Sequence, residues 1–398
     1  MKKSKTTALV LLFFLLTSVL QAQPFTKKYI MSFHTCDSNC TSFQDHLVNL
    51  TESEDGSTWT LVPNFIPYGG SVPDVIIRGN KLYIYTPGKV LRYDKTLSAW
   101  DAAPVMISIQ DSAGGNVNFV DPSAFVDDQG RLVLFFLNST GIQMGQDPAG
   151  CQTYPCYKFF DSAIEVAGSD GTQFIMQSGR RAVINLPSSG SASDPDIFFD
   201  GTKYIMYISR GGSTYACQSD SLHGTYTAMP DLSNGMLTYQ GGIPCGNYDS
   251  SSGNYWTYVH SNVSGNTVIR QAIHTGFNAL LNTFNTVISG PIIGEPSTTK
   301  TESPGFCTND FLYAGITENE SGNFKVYPNP ANSILTIQLK NADKKTLLEI
   351  FDISGLSLLK KETCEKNQSI DISGFTKGMY LIRIENDNKI GYKKFVVM

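Results

Sequence analysis

The sequence predicts an all-β protein: a five-bladed β-propeller followed by a small C-terminal immunoglobulin-like β-sandwich. Three observations carry the prediction. A proline-led hairpin recurs five times, a second turn element keeps phase with it, and the last 75 residues change in both charge and strand pattern.

The clearest hairpin spans 193–209. Ser193-Asp194-Pro195-Asp196 leads into the apolar run Ile197-Phe198-Phe199, Asp200-Gly201-Thr202 turns the chain, and an apolar strand alternating around Tyr204, Met206 and Ile208 returns it. The same unit stands at Asp121-Pro122-Ser123 and at Val72-Pro73-Asp74, with weaker copies at Ile243-Pro244-Cys245 and Ser303-Pro304-Gly305. Successive anchoring prolines are 49, 73, 49 and 60 residues apart. A β unit repeated on this scale cannot bury both faces alone and stacks on its neighbours around an axis. Proline suits the first position of an innermost strand, where no ladder donor is needed. Five anchors predict five blades.

The second repeated element is clearest at Ser53-Glu54-Asp55-Gly56-Ser57-Thr58-Trp59, where Asp caps the turn, Gly takes positive φ and Trp packs beneath. It resembles the Asp-box turn of sialidases and related propellers, one residue shorter, and is read as structural. Degraded copies at 92–100 and 219–226 close the first and third blades. A longer Gly-, Ser- and Asp-containing insertion occupies 141–192, and such insertions map to loops on one face.

The chain starts with an address. Lys2, Lys3 and Lys5 precede an apolar run from Ala8 to Leu20, and Ala22 offers a small residue for cleavage, so 1–22 reads as a secretory signal peptide. No other stretch is long and apolar enough for a helical span, so no transmembrane segment is expected in the mature chain. The net charge is −5 overall; removing +3 for 1–22 and +4 for 324–398 leaves −12 on 23–323. An acidic main domain excludes nucleic-acid phosphate as a partner. It is neutral on uncharged sugars.

Residues 317–323 are polar and read as a linker between a propeller at 23–316 and a sandwich at 324–398. The C-terminal segment opens Tyr327-Pro328-Asn329-Pro330, continues through Phe351-Asp352-Ile353-Ser354-Gly355 and Gly378-Met379-Tyr380-Leu381-Ile382-Arg383-Ile384, and ends Lys393-Lys394-Phe395-Val396-Val397. Its alternation predicts about seven short strands. In combination these motifs resemble the type A sorting domain of type IX secretion. The resemblance implies a Bacteroidota-type bacterium, export in two steps, the type IX machinery as partner, and a mature protein that is secreted or attached to the cell surface after the domain is removed.

Eight cysteines in an exported chain predict disulfides. Cys36–Cys40 and Cys151–Cys156 are the local pairs, and Cys217 and Cys245 are placed to meet between neighbouring blades; Cys364 stands apart from the propeller. His34, Cys36, Cys40 and His46 offer a zinc-type donor set at an unfamiliar spacing, and the local disulfide is the preferred reading. No metal or cofactor is assigned.

In a propeller the first residues of the innermost strands line the mouth of the axial channel. The residues flanking the prolines therefore make Asp74, Asp121, Asp194 and Asp196 the candidate catalytic group, with turn and strand-cap bonding as the alternative role. Gathered carboxylates raise one another's pKa and furnish an acid and a base from one residue type, the equipment of glycoside hydrolysis. The repeated Asp-Pro hairpin resembles the five-bladed propeller glycosidases of family 43 and its relatives. That resemblance implies Asp74 as general base, Asp121 as orienting residue and Asp194 or Asp196 as acid, although blade three lacks the family's Glu and Asp74 follows its proline where the family's Asp precedes it. Glu165, in the insertion, is a conceivable substitute acid. Two readings follow: a glycan-hydrolysing enzyme, or a non-catalytic propeller that binds an extracellular glycan or serves as an adhesin. Trp256 and its neighbours are read as core, and His260 and His274 as surface or satisfied histidines.

Overall fold

A computed structural model of the chain describes residues 25–36, 45–142, 146–291, 293–294, 300–312, 324–339, 345–352, 357–386 and 389–398. The expected signal peptide, the linker 317–323 and Cys40 lie outside the described residues.

Five sheets form the blades, antiparallel except where Ser108–Gln110 pairs in parallel with Gln173–Met176 in blade two, and each takes its innermost strand from one proline-led segment. The expected hairpin forms in the first four, but after Pro304 the chain enters a 3-10 turn at Asp310–Leu312 and no return strand follows among the described residues. The innermost strands are Asp74–Arg78, Phe119–Val126, Ser193–Phe199, Gly242–Asp249 and Lys300–Thr308. In the first four blades the chain then steps outward, for example through Lys81–Thr86 and Lys89–Asp94 to Ala99–Trp100 in blade one. Blade five is composite. Its innermost strand, Lys300–Thr308, pairs with Tyr29–Cys36, which is followed outward by Leu47–Ser53 and Trp59–Leu61. Both ends of the propeller are thus laddered into one sheet. Asn309 strengthens the closure, its amide donating to the Phe25 and Lys27 carbonyls at 2.9 and 2.7 Å. Each innermost strand packs against the next, and blade five packs against blade one, so the ring is closed.

Between blades the core is a series of apolar layers. One joins Phe135, Leu137 and Phe160 of blade two to Met206 and Ile208 of blade three. Another joins Met31 and Phe33 of blade five to Trp256 and Tyr258 of blade four. The Asp55 turn sits on the outer edge of blade five, as expected. Asp55 accepts the Ser57 and Thr58 backbone N–H groups at 2.8 and 2.7 Å. The Gly56 carbonyl accepts from the Trp59 indole, the Tyr258 hydroxyl and the Gln271 amide, tying blade five to blade four. Asp55→Ala should lower stability by about 1 kcal/mol with no effect on ligand binding, read from urea midpoints.

Residues 324–398 form seven strands among those described, in a three-stranded and a four-stranded sheet. Their facing sides bury Leu335, Ile337, Ile350, Ile382 and Phe395 in one core.

Two disulfide expectations meet different fates. Cys151–Cys156 is formed. Cys217 and Cys245 do not pair; each is a free, buried thiol. Cys217 faces the layer between blades two and three, whereas Cys245 belongs to the layer between blades four and five, so their side chains point away from each other. Cys36 is disulfide-bonded, which removes it as a zinc thiolate.

Candidate active site on the propeller axis

All five proline-led turns converge on one small cavity. It is lined by Val72, Asp121, Asp194, Ile243 and Ser303 before the prolines, and by Asp74, Ser123 and Asp196 after them. Its volume is about 30 Å³, room for water and not for a sugar ring. The four aspartates taken from the sequence are therefore neighbours in space.

Each residue before a proline is left-handed, with φ from +41° at Val72 to +57° at Ser303. A residue preceding proline normally adopts an extended conformation, and for the β-branched Val72 and Ile243 positive φ is a strained state of about 1–3 kcal/mol. In blades two to five the ladder shifts register at this point. The bulge turns the pre-proline side chain toward the axis and leaves the post-proline side chain between blades.

The two positions do different work. The post-proline side chain bonds across to the neighbouring blade. Asp74 accepts the Ala124 N–H at 2.6 Å, Ser123 accepts the Ile197 N–H at 3.3 Å, and Asp196 accepts the Gly246 N–H at 2.8 Å. In each case the donor lies two residues beyond the next blade's proline. Asp74 also accepts the Val75 N–H at 2.9 Å. Asp74 and Asp196 are only 7 % and 8 % exposed. Burial pushes Asp74 up to about 7 against these hydrogen bonds, and burial together with the Asp74 charge pushes Asp196 well above the carboxylate range.

Asp121 and Asp194 occupy pre-proline positions and are partly exposed. The Asp194 N–H donates to Asp121 Oδ2 at 3.3 Å, and Ser193 Oγ donates to Asp194 Oδ2 at 2.6 Å. Burial and the Asp194 charge raise Asp121 well above its ordinary value. Burial, opposed by the Ser193 hydroxyl and assisted by Asp147 and Glu302, raises Asp194 to about 6. Both shifts run in the direction that favours the protonated carboxyl.

One carboxylate beside the cavity wall lies outside the residues the sequence singled out. Glu302 lies two positions before Pro304, where the other blades carry Ser71, Val120, Ser193 and Gly242. Glu302 sits one position outside the residues that flank the prolines. The Val72 N–H donates to His34 Nδ1 at 3.1 Å, so Nε2 carries the hydrogen that faces Glu302 Oε2 at 3.2 Å. His46 stacks on His34 with ring centroids 4.2 Å apart. Burial works against ionising Glu302, but His34, His260 and Lys300 hold it down to about 2. His260 is accordingly not a satisfied surface residue. Its Nδ1 is buried without a hydrogen-bond partner, and burial lowers its pKa against the pull of Glu302. His274 is satisfied, between Thr257 and the Gly276 carbonyl.

Glu165 is not at the site. Its carboxylate pairs with Arg78 and accepts the Gly171 N–H at 2.7 Å. Arg78 ends the innermost strand that Asp74 begins, so this ion pair lies toward the opposite end of the blade.

The family described as a secretion system C-terminal sorting domain matches residues 325–398. No curated protein matches the chain. Among solved structures, an exo-1,5-α-L-arabinanase from a bovine ruminal metagenomic library is similar at 14% identity and a TM-score of 0.40, over 63% of this chain and 92% of that one. A glycoside hydrolase family 43 enzyme from Xanthomonas citri, complexed with xylose, is similar at 17% identity and a TM-score of 0.42, over 67% and 90%. An endo-1,4-β-xylanase from Bacteroides thetaiotaomicron is similar at 13% identity and a TM-score of 0.40, over 66% and 94%. Behind its five-bladed propeller this chain carries, at residues 325–398, a secretion-system C-terminal sorting domain that marks it for export.

Proposed function

We propose that the propeller is an exported glycan hydrolase in which Asp121 and Asp194 form the acid pair while Asp74 and Asp196 hold the blades in register. The observation that carries this reading is the division among the four axial carboxyls. All four line the cavity with raised pKa values, but Asp74 and Asp196 are buried and tied to N–H groups beyond the next blade's proline, whereas Asp121 and Asp194 are partly exposed and linked to each other through the Asp194 N–H. A retained proton next to a scissile oxygen is what glycosidic cleavage requires. The cavity admits water, so a sugar lies across its mouth. The exposed rings of Tyr154 and Tyr157 stand on the insertion of blade two and offer faces for stacking. The charge of −12 on 23–323 favours an uncharged glycan over an acidic one.

The cavity's size and the two committed aspartates favour a second reading, a propeller that binds glycan without turnover. The exported protein, purified from culture, separates the two on a panel of neutral polysaccharides. Hydrolysis is expected, with Asp121→Asn and Asp194→Asn each lowering kcat by about 10²–10⁴. Activity should be lost on the alkaline side as the acid pair deprotonates. Binding without hydrolysis of any substrate would replace the enzyme with the lectin-like reading.

We infer further that type IX secretion is the export route, that the sorting domain is removed within the 317–323 linker, and that the propeller is then released or held at the cell surface. Deleting 324–398 should strand the protein in the periplasm, scored by fractionation; normal export of the shortened chain would refute the route.

A further inference from the structure

The geometry points to Glu302 as the base of this site, facing the Asp121–Asp194 acid pair from the opposite side of the ring. The inference rests on the hydrolase reading above and supplies the group that it lacks. In a closed ring of five, blade five touches blades one and four, so blades two and three lie across the axis. Asp121 and Asp194 belong to blades two and three, and Glu302 belongs to blade five. Glu302 also occupies the layer just outside the pre-proline ring, where four blades present Ser71, Val120, Ser193 and Gly242. Of these five positions it alone carries a charged residue. Glu302 adjoins Ser303 of the cavity wall, and its partner His34 accepts the N–H of Val72, another wall residue; Asp194 registers the Glu302 charge.

The groups facing Glu302 keep it ionised and aimed. His34 on the neighbouring strand holds Oε2, with its tautomer fixed by the Val72 N–H. His260 approaches from blade four, Lys300 lies on the same strand, and His46, itself close to Asp45, backs His34. A carboxylate ionised on one side of a cleft and a protonated pair on the other are complementary. Glu302 takes a proton from a water molecule as that water's oxygen bonds to the anomeric carbon. The bond from that carbon to the leaving oxygen breaks, and the leaving oxygen takes the proton held by Asp121 and Asp194. Solvent then returns a proton from Glu302 to the pair.

The test uses the exported protein with whichever neutral polysaccharide it hydrolyses. Glu302→Gln preserves size and an acceptor for His34, so its melting midpoint should match the parent while kcat falls at least 100-fold. Glu302→Ala should be inactive and should regain turnover with added azide or formate, a rescue that a purely structural residue does not show. His34→Ala should move the acid limb of kcat/KM upward by a pH unit or more, because Glu302 loses its nearest donor. Turnover by Glu302→Gln within threefold of the parent, or a Glu302→Ala variant that melts lower and is not rescued, would overturn the assignment and leave Glu302 a strut of the blade-five sheet. A parent protein that hydrolyses nothing would instead overturn the hydrolase reading itself.

Discussion

Asp74→Ala is expected to destabilise the propeller by about 2–5 kcal/mol, because two buried N–H donors, of Val75 and Ala124, lose their acceptor at once. Asp74→Asn is the informative contrast. It keeps an oxygen for Ala124 but leaves the Val75 N–H without one, so it should cost less than the Ala variant, about 1–3 kcal/mol at pH 8. The parent's own pH dependence follows from the sign of the shift. In the unfolded chain this carboxyl ionises near 3.9, whereas in the fold burial raises it to about 7. Between those values the folded state binds the extra proton, so the contribution of Asp74 to stability is full below pH 4. It declines as pH rises toward 7 and is constant above. Urea unfolding of parent and Asn variant at pH 4.5 and 8 checks this. The difference in midpoint should shift in favour of the variant at the higher pH, and a constant difference would contradict it.

Gly305→Ala should loosen the contact between blade five and blade one. A Cβ at Gly305 would stand 2.7 Å from the Asp74 Cα and from the Pro73 carbonyl oxygen, and 2.6 Å from Asp74 Oδ1. Two of these are backbone atoms of blade one, so relief requires moving a whole blade away from blade five. Overpacking of this kind costs about 1–3 kcal/mol or more. Loss of cooperative melting, or a fall of several degrees in the midpoint, is the expected readout. Enlarging Gly212, where a Cβ meets nothing within 4 Å, serves as the control.

These two positions also show how much the sequence could tell. Prolines at 73, 122, 195, 244 and 304 gave the blade count, and their neighbours gave the lining of the axial cavity. The pattern could not separate Asp121 and Asp194 from Asp74 and Asp196. That distinction depends on left-handed φ before each proline, which local preference opposes and only the packed ring enforces. Glu302 was hidden for a related reason. Its carboxylate is held by His34, far away in sequence, and the two meet only because the first and last propeller strands share a sheet. The thiols misled because Cys217 and Cys245 sit in equivalent-looking strands whose buried faces belong to different layers.

The composite fifth blade sets an order of events. Tyr29 pairs with Thr308, so the partner of the first propeller strand comes from the last. A chain emerging from the N-terminus can therefore build four blades and still expose the unpaired edge of Tyr29–Cys36 until almost the whole propeller is available. Contacts so distant in sequence form late and slowly. For a chain that its sorting domain marks for export, closure of the ring thus waits on nearly the last residues of the propeller. The strand that closes the ring lies just ahead of the sorting domain, so the segment completing the fold travels beside the one directing its export.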